Sequence, residues 1–92
     1  MISRGSLLFS IAFAMALRKR SFSIAGHRTS VALEPEFWKE LDELATAANQ
    51  SMAALVAEID GKRGTRPLAS AMRLEALAGA KSSKARRQER TR

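Results

Sequence analysis

The 92-residue chain contains no cysteine and no tyrosine, and it holds one histidine, one tryptophan and two prolines. Without thiols it has neither a disulfide framework nor a thiolate metal site, and His27 alone cannot build a metal centre. Acidic side chains are missing from the first third: residues 1–33 carry five basic groups and no carboxylate. Residues 34–60 invert that balance, with seven carboxylates against Lys39, and residues 61–92 carry ten basic groups against Glu75 and Glu89. A net charge of +7 divided in this way describes an acidic, amphipathic middle framed by basic flanks, a pattern suited to a polyanionic partner such as nucleic acid. No catalytic set is legible either. Glu36 and Glu40 share a helix face, but no nucleophile or Gly-rich phosphate loop accompanies them. The expectation is a non-enzyme with no cofactor, no metal and no small-molecule substrate.

The first seventeen residues form an apolar extension. Arg4 followed by LLFSIAFAMAL imitates a secretory signal, yet the run falls short of the roughly 20 apolar residues that span a bilayer. Met15 offers the preferred explanation, a start site from which the chain begins MALRKRSFSIAGHRTS, and membrane association is set aside. An apolar helix and an export or membrane-surface segment are the other readings of 1–17. Residues 18–27, RKRSFSIAGH, read as a flexible basic arm that breaks at Gly26.

From Arg28 the period is two. Thr29, Val31 and Leu33 point one way and Arg28, Ser30 and Ala32 the other, which makes a short strand. Pro35 ends it and suits the first turn of a helix. The apolar residues Phe37, Trp38, Leu41, Leu44, Ala45 and Ala48 then fall on one helical stripe. Asn49 tolerates the left-handed conformation that stops a helix, and Ser51 reads as the N-cap of a second helix carrying Met52, Leu55, Val56 and Ile59. Together these form a core unit over 28–61. Pro67 opens a third helix over 65–79 with Leu68, Ala71, Met72, Leu74 and Leu77, and the basic residues 80–92 read as a disordered tail.

A lone strand has no partner in its own chain by this reading, so a second copy is the simplest source of one. Val31, Leu33, Phe37, Trp38, Leu41, Leu44, Leu55, Val56 and Ile59 then belong to a core shared by two chains, with folding and association inseparable.

The run RSFSIAGHRTSVALEPEFW and the segment GTRPLASAMRL resemble a bacterial branch of the ribbon-helix-helix DNA-binding proteins. The resemblance covers about residues 20–78. It implies a mainly α fold with one short β-strand: an intertwined homodimer whose two-stranded antiparallel ribbon enters the major groove of double-stranded DNA, plus the third helix. On that mapping Arg28, Ser30 and Ala32 face the bases. Ser51 and Met52, at the start of the second helix, grip phosphate. Apart from that mapping, Arg18, Lys19 and Arg20 precede the ribbon and are placed to run along the DNA backbone or a minor groove. Asn49 and Ala53 stand where relatives often carry Gly and Ser, and Ala32 offers only a methyl contact to thymine, so base readout is thin. The implied function is a cytoplasmic, nucleoid-associated repressor or autoregulator, with dimers on adjacent half-sites forming higher-order assemblies. The alternative is an antitoxin-like adaptor whose residues 62–92 bind a toxin-like partner protein.

Overall fold

Residues 21–24 alternate Ser-Phe-Ser-Ile, the mirror in period of Thr29 to Ala32, and the chain folds the two stretches onto each other. The computed structural model describes residues 16–90, so the apolar extension and its Met15 start lie outside the described residues except at Ala16 and Leu17. Strands β1 (Arg18–Ile24) and β2 (His27–Leu33) form an antiparallel hairpin. They are followed by α1 (Pro35–Ala47), α2 (Met52–Lys62) and α3 (Leu68–Arg90). The register pairs Lys19 with Ala32, Ser21 with Ser30 and Ser23 with Arg28.

The hairpin corrects the expectation of a lone strand preceded by a flexible basic arm. Its two-residue turn, Ala25-Gly26, has φ of 53° and 82°, the left-handed pair that marks a type I′ turn and matches the twist of the flanking strands. Gly26 adopts that geometry freely; Ala25 adopts it at a steric cost. Register and turn then set the faces. Phe22, Ile24, Val31 and Leu33 lie toward the helices, while Lys19, Ser21, Ser23, Arg28, Ser30 and Ala32 are all exposed on the other side.

Helix α1 begins at Pro35, with Glu36 in its first turn, where negative charge complements the helix dipole. It ends as its sequence suggests. Asn49 takes φ of 57°, the Gln50 N–H donates to Ala45 O at 2.8 Å, and the Asn49 N–H donates to Thr46 O at 3.0 Å, which is a Schellman ending. Ser51 caps α2 by accepting the Ala54 N–H on its hydroxyl at 3.0 Å.

The core closes inside one chain. Leu33, Leu41, Val56 and Met72 are fully buried, Ile59 and Trp38 nearly so, joined by Ile24, Val31, Ala45, Leu55, Ala71 and Ala76. Phe37, Leu44 and Met52 pack on this cluster half-buried. Each large apolar side chain so covered stabilises the fold by about 1.5–3 kcal/mol. The expectation that these side chains need a second chain to be covered is therefore corrected: β1 and α3 supply the cover. Helix α3 begins at Leu68, after Pro67, and runs on through Arg90 instead of giving way to a disordered tail. Residues 80–90 include seven Ala, Lys and Arg, all good helix formers, and once 68–79 are docked each added turn propagates at little cost.

Candidate nucleic-acid interface

Six side chains define the outer face of the hairpin, and none of them is acidic. At its centre Ser21 Oγ and Ser30 Oγ lie 2.9 Å apart across the strands, sharing one hydrogen bond and leaving hydroxyl capacity for a ligand. Lys19 stands at one end beside Ala32, and Arg28 at the turn end beside Ser23. From Lys19 to Ser23 the strand advances about 13 Å, close to the length of four stacked base pairs. Two strands set about 4.8 Å apart fit within a major groove about 12 Å wide. The exposed positions of Arg28, Ser30 and Ala32 agree with the alternation read in the sequence. Ser21 and Ser23 were missed there, although the Ser-Phe-Ser-Ile alternation carries their signal.

The inner side of β1 explains why the hairpin is rigid enough to present that face. The Trp38 indole N–H donates to the Arg18 carbonyl at 2.8 Å, tying the first residue of β1 to α1. The Arg20 guanidinium lies 4.6 Å from the Trp38 ring centre and donates to both carboxylate oxygens of Asp42, at 3.0 and 3.2 Å. Phe22 packs against Trp38 with ring centres 6.1 Å apart. The Arg20–Asp42 pair is half exposed and contributes on the order of 0–1 kcal/mol, so its effect is orientation more than stability. Arg20 is thereby turned away from the outer face. Of the three basic residues expected on the DNA backbone, Lys19 shares the outer face, Arg18 is exposed at its edge and Arg20 is engaged elsewhere.

The start of α2 gives a second element. Ser51 is exposed and its hydroxyl already serves the Ala54 N–H, which leaves the first-turn N–H groups of Met52 and Ala53 free of helical partners, as in any helix start. Such a terminus favours an anion. Gln50 beside it donates to Glu58 at 3.2 Å, which keeps that carboxylate occupied.

Glu34, at the junction of β2 and α1, is buried and accepts two hydrogen bonds from Arg73 of α3, at 2.9 and 3.1 Å. Arg73 also lies over the Phe37 ring at 5.8 Å. The third helix thus fixes the angle between hairpin and α1. His27 opens β2 as an exposed residue, and Trp38 is a core anchor with no face for stacking on a base.

No curated protein and no solved structure matches the chain. A family profile described as a ribbon-helix-helix domain matches residues 17–79, and that span takes in β1, β2, α1, α2 and the docked part of α3. With hairpin, helix pair and match covering the same residues, the chain belongs to the ribbon-helix-helix domain family, whose members are DNA-binding regulators or antitoxins that form dimers.

Proposed function

We propose that the protein is a sequence-specific DNA-binding repressor or autoregulator of the bacterial cytoplasm, acting by occupancy of its site. The observation that carries this reading is the acid-free outer face of the hairpin, with Arg28, Ser30 and Ala32 on β2 and Lys19, Ser21 and Ser23 on β1. Arg28 reads guanine through a bidentate contact, the serines accept or donate to several bases, and Ala32 meets a thymine methyl. Lys19, Arg18 and the α2 start at Ser51 and Met52 hold phosphates and fix the register. Two copies, as is usual in the family, place two such faces on adjacent half-sites.

Selection of bound fragments from a genomic DNA pool at two salt concentrations tests the reading. A shared motif of about four base pairs per copy, retained at the higher salt, is the expected result. Fragments without a common motif, lost uniformly as salt rises, would leave only phosphate binding and sink the claim.

Leu74 and Leu77, exposed on α3, favour a second reading in which this part of the chain engages another protein, as in an antitoxin-like adaptor. A toxin reading frame beside this one would support it.

A further inference from the structure

Glu34 is the buried charged side chain among the described residues, and the DNA reading gives it no part. It occupies the N-cap position of α1, where a side-chain oxygen ordinarily accepts an N–H of its own first turn, yet it makes no such bond. Only its backbone carbonyl serves α1, accepting the Phe37 and Trp38 N–H groups at 3.0 and 3.2 Å. The carboxylate is turned to α3 instead, where Arg73 donates to one oxygen, Oε1, from both Nε and a terminal nitrogen. Ala71, Met72 and Ala76 around Arg73 are buried, so the guanidinium is carried on a docked stretch of helix.

Glu34 lies at one end of the hairpin, and that end is a pivot. Trp38 ties β1 there through the Arg18 carbonyl, and Arg18 pairs with Leu33, the residue before Glu34. Arg28 stands at the far end of β2, six residues before Glu34 and about 20 Å away at strand spacing. A tilt of about 10° at the pivot moves Arg28 by about 3 Å, as far as a hydrogen bond is long. Apolar contacts under Ile24 and Val31 keep the hairpin on the helices, but such contacts are non-directional, whereas the bonds at Glu34 fix an angle. Helix α3 also reaches the other DNA-facing element. Two residues on from Arg73, Glu75 pairs with Lys62 of α2 at 2.9 Å, and Met72 is buried in one cluster with Leu33, Val56 and Ile59. The third helix thus braces the hairpin against the helix whose start holds phosphate.

On the DNA reading proposed above, we propose that Arg73 is a positioning residue for base recognition. Through Glu34 it holds the outer face of the hairpin and the start of α2 at the mutual placement that lets both engage one duplex, and it does so without contacting DNA. Base readout needs its side chains held within about 0.5 Å and 10–20° of the productive geometry. Phosphate attraction is independent of sequence and tolerates displacement. Loosening the Glu34 junction therefore removes base readout and spares binding to random duplex.

Competition between the selected motif and random duplex, read by fluorescence anisotropy on the full chain, gives the test, with circular dichroism and urea titration as measures of folding. Arg73→Lys keeps the charge and loses the guanidinium fork. Glu34→Gln/Arg73→Ala relieves the buried charge and leaves the tie to α3 broken. Both variants are expected to lose about tenfold in preference for the motif, the equivalent of one good base contact. Their affinity for random duplex and its slope against log salt should stay at the wild-type values. A Glu34→Gln/Arg73→Ala chain that regains motif preference together with its urea midpoint makes Arg73 a stabilising residue only and overturns the proposal. Equal loss on motif and random duplex, with a slope smaller by about 0.9, overturns it by making Arg73 itself a phosphate contact. Variants that keep the full preference overturn it and leave the DNA reading standing, whereas a wild type without any preference takes both down.

Discussion

Arg28 is the outer-face side chain with the most to lose. It is the one that can make two hydrogen bonds to a single base, so Arg28→Ala should cost about 1–3 kcal/mol of binding to the selected motif, leaving circular dichroism unchanged. Competition between motif and random duplex measures the loss, and equal binding of the motif by variant and wild type would remove Arg28 as a reader. Lys19→Ala is different in kind: a phosphate contact carries no sequence information, so affinity should fall for all duplexes and the slope against log salt should shrink by about 0.9. Ala25 bears on stability and not on binding. Its φ of 53° suits Asn better than Ala, so Ala25→Asn should raise the unfolding free energy by about 0.5–1 kcal/mol in urea titration. Arg73→Ala leaves the buried Glu34 carboxylate without its two hydrogen bonds and should cost about 1–3 kcal/mol. Restoration by Glu34→Gln in the Arg73→Ala background would identify the unpaired charge as the cause.

Between elements, α3 is held by close approach as much as by apolar area. A side chain at Gly79 would bring its Cβ within 2.6 Å of Leu44, so Gly79→Leu should lever α3 from α1 at a cost of about 1–3 kcal/mol, read as a lower urea midpoint. Lys62 of α2 bridges Glu75 of α3 at 2.9 Å, and the hydrogen bond to Glu75 raises its pKa above the ordinary 10.5. A lysine with a raised folded pKa contributes its stability in full below the unfolded value and loses it as pH climbs through the folded one. Lys62 is about half exposed and Glu75 about a third, so solvent screens the pair, and a titration from neutral pH to pH 9 should show no loss from it, with only a small one at still higher pH. The first two helices were legible because their boundary signals act within a turn of themselves: Pro35 and Ser51 start them and Asn49 stops the first. The first strand was not, because Lys19 and Arg20 mask the apolar alternation that starts at Phe22, and because Ala25-Gly26 lacks the usual Asn-Gly or Asp-Gly of a type I′ turn. The cover over Leu33 and Leu41 was hidden for the same reason, since it depends on β1 and on the docking of Met72 and Ala76, which no local pattern announces.

For the molecule as a whole, a core closed within one chain separates folding from association. A chain in which the exposed Leu74 and Leu77 are both replaced by Glu should unfold cooperatively with a urea midpoint that does not move with protein concentration, whereas a midpoint rising with concentration would return the core to two chains. The candidate site was half legible: the outward residues of β2 follow from period alone, but their neighbours on β1 depend on pairings five to thirteen residues apart. Trp38 is the single tryptophan, it is 2% exposed, and its indole N–H is spent on the carbonyl that begins β1. The protein therefore contains a built-in optical gauge of its own hairpin. Any event that peels the first strand away, whether heat, a competing strand or strain from DNA, admits water to that indole and shifts its emission to the red, without a label and without disturbing the face that does the binding.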